Sequence, residues 1–289
     1  MSYSGWNTII TGGSSGIGLA LAKLLTQQGA NVCILARDTG KLNNALAAIE
    51  NQRQNPAQKL AAFPVDAVDA DRVEGIIRNL VESDGAPDLV INSAGDVEVG
   101  YAYQLTPADY QRNMNNNYLS SVNVTHAVLP SMSAKGSGYL VYISSVLGRV
   151  GAIGYSAYGP SKAALDIFAE AIRMEVKPCG IHIATVYPSD TDTPQYAYES
   201  AHLPGEIKYL KTIFESRLNT PEEVAGAILR GVTQNRKIIF PDRDGKIMDF
   251  LVRILGRGAA NVLEFLLNIG YRRKTGNKDV TACQPLDGD

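Results

Sequence analysis

An open α/β fold built on a doubly wound parallel sheet is expected from three observations. Strand-like apolar runs alternate with helix-period segments over most of the 289 residues. A glycine-rich turn joins the first strand to the first helix. The chemically suggestive residues all fall at the carboxyl ends of strands or in the helices that follow, which is where open parallel sheets bind ligands.

In chain order, WNTII precedes a helix over 17–28, NVCILA one over 40–53, LAAFPV one over 69–82, and DLVIN helices over 107–132. YLVYIS precedes a helix over 157–178, IHIATVY precedes a variable region, and a last short run lies at 237–240. Strands that read as near-continuous apolar runs are buried on both faces, and right-handed crossovers supply covering helices on each side. No internal repeat or low-complexity linker divides the chain. The expected division is one catalytic domain over 1–243, a helical extension over 244–275 and a disordered tail over 276–289.

With 45% apolar residues the chain can bury a substantial core, and a net charge of -2 without any basic block argues against a nucleic-acid partner. Cys33, Cys179 and Cys283 are odd in number and widely spaced, so neither a disulfide framework nor a metal site is expected, and a reducing compartment is the default. His126, His182 and His202 have no ligand spacing with one another or with cysteine. The first strand begins by Trp6, which leaves no room for a signal peptide, and a cytoplasmic protein is expected.

The turn after the first strand reads Thr11-Gly-Gly-Ser-Ser-Gly-Ile-Gly18. Gly12, Gly16 and Gly18 permit a tight turn, close approach of a pyrophosphate to backbone amides, and close packing of helix on strand, with Ser14, Ser15 and Ile17 between them. Such a Rossmann-type turn predicts a dinucleotide cofactor. The second strand ends in Ala36-Arg37, where an acidic residue would serve the ribose hydroxyls of NAD. Arg37, with Lys41 one turn later, suits a ribose phosphate, so NADP(H) is the expected cofactor. Asp66, after the third strand, can accept from an adenine amino group. Asn92-Ser-Ala-Gly95, after the fourth, offers Ala94 and Gly95 as small residues where backbone approaches the cofactor. Both features are equally ordinary turn or helix-start signals.

Ser145, Tyr158 and Lys162 lie in the stretch ISSVLGRVGAIGYSAYGPSK. Four residues apart on a helix, Tyr158 and Lys162 share a face, and a nearby ammonium favours the phenolate of a phenol that otherwise titrates near pH ~10. Ser145, just past the fifth strand, can hold a carbonyl oxygen while the tyrosine protonates it. Tyrosine and lysine at this spacing are common on solvated helices, so the surrounding motifs carry the reading.

The segments T-G-x-x-x-G-I-G, N-S-A-G, Asn117, Ser145, Tyr158-x-x-x-Lys162 and Pro188-Ser-Asp-Thr-Asp-Thr193 occur in an order and spacing that resemble the short-chain dehydrogenase/reductase superfamily, over positions 8 to 240. The resemblance implies that Ser145 binds the substrate carbonyl and that Tyr158 is the general acid in reduction. It also implies that Lys162 lowers the tyrosine pKa and holds the nicotinamide ribose, while Asn117 positions a water that relays protons to the lysine. Pro188, Thr191 and Thr193 would contact the cofactor, Thr193 at the nicotinamide carboxamide. Ser93 stands where a second asparagine is usual, and Pro188-Ser189 where Pro-Gly is frequent. Homo-oligomers through the helices flanking the sheet are common in the superfamily and are expected here.

Within that superfamily the chain resembles the NADPH-dependent 3-ketosphingoid-base reductases. The residues behind this are Ala36-Arg37 with Lys41-Leu42, Asn117-Tyr118-Leu119, Met174-Glu-Val-Lys-Pro178 and, above all, Tyr187-Pro-Ser-Asp-Thr-Asp-Thr-Pro194. A small-molecule lipid ketone is the implied substrate. Reduction of a 3-oxoacyl thioester or a steroid-like ketone, and NADP binding without catalysis, are the alternatives.

A lid-like region with Tyr196, Tyr198, Tyr209 and Phe214 follows Pro194. Toward the carboxyl end, runs at 247–255 and 262–269 fall short of the roughly 20 apolar residues that a membrane span needs, and Arg253, Gly256 and Arg257 interrupt them. Ile247, Phe250, Leu251, Ile254 and Leu255 share one face, Lys246, Asp249 and Arg253 the other, and Arg272-Arg-Lys274 follows. Residues 246–274 read either as an interfacial pair of helices in peripheral contact with a membrane or as helices packed on the protein or on another subunit. Amphipathicity does not separate these two readings.

Overall fold

A computed structural model of the chain describes residues 3–213 and 217–256, with 258, 261, 262, 264 and 265 beyond them. Phe214, the expected helix at 262–269 apart from those few positions, Arg272-Arg-Lys274, Cys283 and the expected tail over 276–289 lie outside the described residues.

Seven strands form one parallel sheet: β1 (Asn7–Thr11), β2 (Asn31–Ala36), β3 (Leu60–Pro64), β4 (Leu89–Asn92), β5 (Gly138–Ile143), β6 (Ile181–Val186) and β7 (Ile238–Ile239). Their spatial order is β3-β2-β1-β4-β5-β6-β7. The chain winds outward from β1 to β3, returns to β4 beside β1, and winds outward again. That reversal opens a crevice beyond the carboxyl ends of β1 and β4. Thr11 is in register with Asn92 there, so the two loops that leave these strands start side by side. The Thr11 hydroxyl ties them together by accepting from the amides of Ser93 and Ala94 at 3.1 and 3.0 Å.

Alternate strand residues serve two cores, as a sheet covered on both faces requires. On one face Ile10, Ile34, Ile91 and Val141 pack with Leu21 and Leu25 of α1 (Gly16–Gln27) and with Val224 and Ile228 of α9 (Pro221–Thr233). On the other, Ile9, Leu35, Val90 and Leu140 meet Val73 and Ile77 of α3 (Ala70–Asp84), Val124 and Val128 of α5 (Ser120–Lys135), and Leu165 and Ala169 of α6 (Tyr158–Val176). Each such aliphatic side chain, fully buried, contributes ~1.5–3 kcal/mol, so these two layers hold the crevice in shape.

The remaining helices are α2 (Thr39–Glu50), α4 (Pro107–Met114), α7 (Pro194–His202), α8 (Gly205–Ile213) and α10 (Arg243–Leu255). Two findings differ from the sequence reading. The helical stretch at 107–132 is broken by a π-helical turn over Asn115–Leu119, which joins α4 to α5 and carries Asn117. The variable region after β6 is helical, and α9 within it is a principal core element. Its start is explicit in the sequence: Thr220 and Glu223 form a reciprocal capping box, and Pro221 sits in the first turn. Among the described residues no helix is long and apolar enough to cross a membrane.

Candidate active site

The turn after β1 is built so that only glycine fits. Gly12 has φ +66°, and a Cβ there would lie 2.8 Å from the Ser93 carbonyl oxygen; one on Gly18 would lie 2.4 Å from the Gly12 oxygen. The side chain-free surface brings α1 hard against the turn, with Ser15 as N-cap and no acidic residue in its first turn. First-turn amides of a helix lack intrahelical acceptors, and the helix dipole adds partial positive charge there. This end of α1 opens into a cavity of about 620 Å³ that Ser14, Ser15, Gly16 and Ile17 help to line. A pyrophosphate fits such a cradle.

At one end of the cavity stand Arg37, Lys41 and Asp66. Arg37 and Lys41 are exposed, and neither pairs with a carboxylate among the described residues. Asp38 caps α2 through the Lys41 amide, which anchors this basic rim. One carboxylate oxygen of Asp66 accepts from the Val68 amide at 3.0 Å. Ala94 and Gly95 line the middle, and Pro188, Thr191 and Thr193 follow from the loop after β6. Thr193 caps α7 and its methyl carbon would sit 3.0 Å from a Cβ on Gly16, so this loop closes over the glycine turn. The group of residues fits a dinucleotide along the crevice.

Ser145, Tyr158 and Lys162 meet in the same cavity. Ser145 leaves β5 as the cap of a 3-10 turn and accepts from the Leu147 amide at 3.2 Å, which leaves its hydroxyl hydrogen available to a carbonyl oxygen. Lys162 is 4% exposed; its ammonium donates to the Ile143 carbonyl at 2.9 Å and lies 5.6 Å from the centroid of the Tyr158 ring. Burial pulls the Lys162 pKa down to about 8. Burial also raises the Tyr158 phenol above its ordinary value, Glu199 adding to the rise, while Ser145 and Gln195 act in the opposite sense. The depressed tyrosine expected from the Lys162 spacing is therefore not a property of the protein by itself: loss of water outweighs a lysine whose charge rests on a backbone oxygen.

Two expected site residues do not line the cavity. Asn92 is 1% exposed at the end of β4, under the loop it introduces, and its amide has no hydrogen-bond partner among the described residues. Asn117 is fully buried: its oxygen accepts from the Asp96 amide at 2.9 Å, and its nitrogen donates to the Asp96 carbonyl and to Ser161 at 2.8 and 2.9 Å. The Asn117 side chain thus fastens the loop after β4 to the first turn of α6, between Tyr158 and Lys162, and holds the lysine's surroundings rather than facing the crevice.

Other residues at the site carry no sequence motif. Asp166, one turn after Lys162, is half-buried, and loss of water pushes its carboxyl up to about 6. Arg149 lies over the Tyr187 ring at 4.2 Å, donates to its hydroxyl at 2.8 Å, and pairs with Asp249 of α10 at 2.5 Å. Met248, Leu251 and Leu255 of α10 line the far end of the cavity. Tyr155, Gln195, Glu199 and Lys211 complete its wall. Their partners are distant in sequence, and no spacing rule would have singled them out.

Comparison with known proteins agrees with this geometry. Residues 7–203 match the family model described as short chain dehydrogenase. The chain is 36% identical over 235 residues to the 3-dehydrosphinganine reductase of Danio rerio, covering 81% of this chain and 70% of that one. It is equally 36% identical, with the same coverage, to the 3-ketodihydrosphingosine reductase of Bos taurus. A short-chain dehydrogenase from Streptomyces avermitilis superposes with a TM-score of 0.74 at 27% identity, covering 94% of this chain and 98% of that one.

Proposed function

The chain belongs to the short-chain dehydrogenase family, and we propose that within it the protein is an NADPH-dependent reductase of the ketone of a 3-ketosphingoid base. The observation that carries this reading is the single cavity that joins three chemistries: a basic rim at Arg37 and Lys41, the Ser145, Tyr158 and Lys162 group, and an apolar end formed by α10. A phosphate-bearing dinucleotide and a long-chain ketone would occupy it from opposite ends. The relatives named above as sphingoid-base reductases support the substrate.

NADPH supplies the hydride when bound, along the glycine turn and Arg37. The protein's own residues do the rest. The Ser145 hydroxyl donates to the ketone oxygen and fixes it beside Tyr158. A phenol held protonated by burial is ready to give its proton to that oxygen as negative charge develops there. The Lys162 ammonium, in the same buried site, then stabilises the phenolate left behind. Asn117 acts as a positioning residue by clamping the first turn of α6.

Peripheral contact with a membrane belongs to the same reading. On α10, Ile247, Phe250 and Ile254 are 56%, 61% and 65% exposed, while Met248 and Leu251 of the same helix line the cavity. A helix that faces apolar side chains outward and borders the substrate cavity suits entry of a lipid from a bilayer surface. Assembly with a second copy is supported by Ile167 and Met174, both exposed on α6.

The test is a substrate panel with purified protein and NADPH. Oxidation of the cofactor by 3-ketodihydrosphingosine in clear preference to a 3-oxoacyl thioester or a steroid-like ketone is expected. Preference for the thioester would overturn the lipid assignment.

A further inference from the structure

The part of the cavity wall that α7 and α8 contribute carries two charged side chains, Glu199 and Lys211, although an aliphatic ketone needs no charge. Glu199 of α7 accepts from the Tyr155 hydroxyl at 2.5 Å, and the Tyr155 ring lies 6.2 Å, centroid to centroid, from that of Tyr158. Glu199 is therefore one aromatic side chain removed from the proton donor. Lys211 of α8 lies 2.9 Å from Asp190 and 3.5 Å from Glu199, with the Tyr196 ring 4.9 Å away. Glu199 and Asp190, with side chains 14% and 24% exposed, share the single ammonium of Lys211.

The charges on this side of Tyr158 do not balance. Asp166 faces both Lys162 and Arg149, whereas Asp190 and Glu199, which line the cavity with Lys211, have that one ammonium between them. Two carboxylates there face one cation. Uncompensated charge is costly out of water, so a wall of this kind favours a ligand that brings a cation. The substrate proposed above has one in the required place: the carbon next to its ketone bears a primary amine, protonated at neutral pH. With the ketone oxygen held by Ser145 and Tyr158, that ammonium is confined to the space beside the tyrosine.

We propose, on the strength of the reductase reading above, that Glu199 is a specificity-determining residue that binds the substrate's ammonium and so selects free α-amino ketones over ketones without that charge. Tyr155 and Lys211 hold its carboxylate in place, and Asp190 completes the anionic surface. The same pairing assists the chemistry. The negative charge of Glu199 opposes formation of the Tyr158 phenolate, and an ammonium bound to Glu199 removes that opposition. An N-acylated ketone, neutral at the same nitrogen, forgoes both effects.

The experiment compares wild type with Glu199→Gln, which removes the charge but keeps an oxygen for the Tyr155 hydroxyl. Steady-state kinetics are measured on 3-ketodihydrosphingosine and on its N-acetyl derivative, with NADPH binding followed by fluorescence in each protein. Wild type is expected to prefer the free amine, and Glu199→Gln to lose about 10- to 100-fold in kcat/KM on the amine, mainly through KM, while kcat/KM on the N-acetyl substrate holds or rises. Glu199→Asp should keep the preference. Equal losses on both substrates, or an unchanged preference in Glu199→Gln, would overturn the inference and leave the reductase reading intact. A wild type that reduces neither sphingoid ketone but accepts a thioester removes the reading itself. Should Glu199→Gln fail to bind NADPH, competition on wild type decides: a long-chain primary amine should inhibit at least about tenfold better than the alcohol of equal length, and equal inhibition would sink the proposal.

Discussion

The ammonium of Lys162 donates to the backbone carbonyl of Ile143, the last residue of β5, at 2.9 Å. This bond anchors α6 to the sheet and keeps a positive charge buried beside Tyr158. It also fixes how the site responds to pH. A lysine whose pKa is lowered to about 8 loses its charge just above neutrality. Reduction, measured as kcat/KM against pH, is expected to fall as pH rises through about 8. The stability effect has the opposite sign: the unfolded lysine, near its ordinary pKa of ~10.4, binds more protons than the folded one between these values, so this residue's contribution to stability rises with pH across that window. A rate profile flat to pH ~9.5 would contradict the buried cation's role.

The link from the active site to α10 runs through one arginine. Arg149 pairs with Asp249 and donates to Tyr187, and both its partners are largely buried. Among the described residues, Arg149→Ala leaves the Asp249 carboxylate with Arg253 alone, 56% exposed, and is expected to cost about 2–4 kcal/mol. Arg253→Ala should cost less than about 0.5 kcal/mol, as surface pairs do. Thermal unfolding checks the ranking, and amide exchange should show α10 opening in the first variant and not in the second. Equal effects would show that Arg149 does not hold the helix.

Cofactor choice rests on the rim after β2. Arg37→Ala is expected to raise the KM for NADPH by about tenfold or more and to leave the KM for NADH within about twofold, because the lost interaction is with the ribose phosphate alone. Parallel increases for both cofactors would assign Arg37 a structural part instead.

Much of this architecture is legible in the amino-acid order because the signals are local. Apolar runs mark β1 to β6, Asp38 and Asp69 stand as caps ahead of α2 and α3, and the Gly12, Gly16 and Gly18 spacing marks the crevice. The same kind of signal lies in the region that otherwise reads as variable: Thr220-Pro-Glu-Glu223 announces α9 as clearly as any cap in the chain. The π-helical turn is different. Nothing in the Asn115-Asn-Asn117 run signals a widened turn, and only the structure shows it, with Asn117 buried against Asp96 and Ser161. Contacts such as Arg149 with Asp249 join residues 100 positions apart, and no periodicity encodes them. Spacing predicted which groups gather at the site, and burial decided how they titrate, as the raised rather than lowered Tyr158 illustrates.

Proton donation from Tyr158 to a sphingoid ketone is checked by the rate of NADPH oxidation with 3-ketodihydrosphingosine in wild type and in Tyr158→Phe, which removes the hydroxyl and keeps the ring. Steady oxidation by wild type is expected, with a fall in kcat of about 10²- to 10⁴-fold in the variant and NADPH affinity unchanged. A Tyr158→Phe protein that reduces the ketone at the wild-type rate would contradict proton donation by Tyr158.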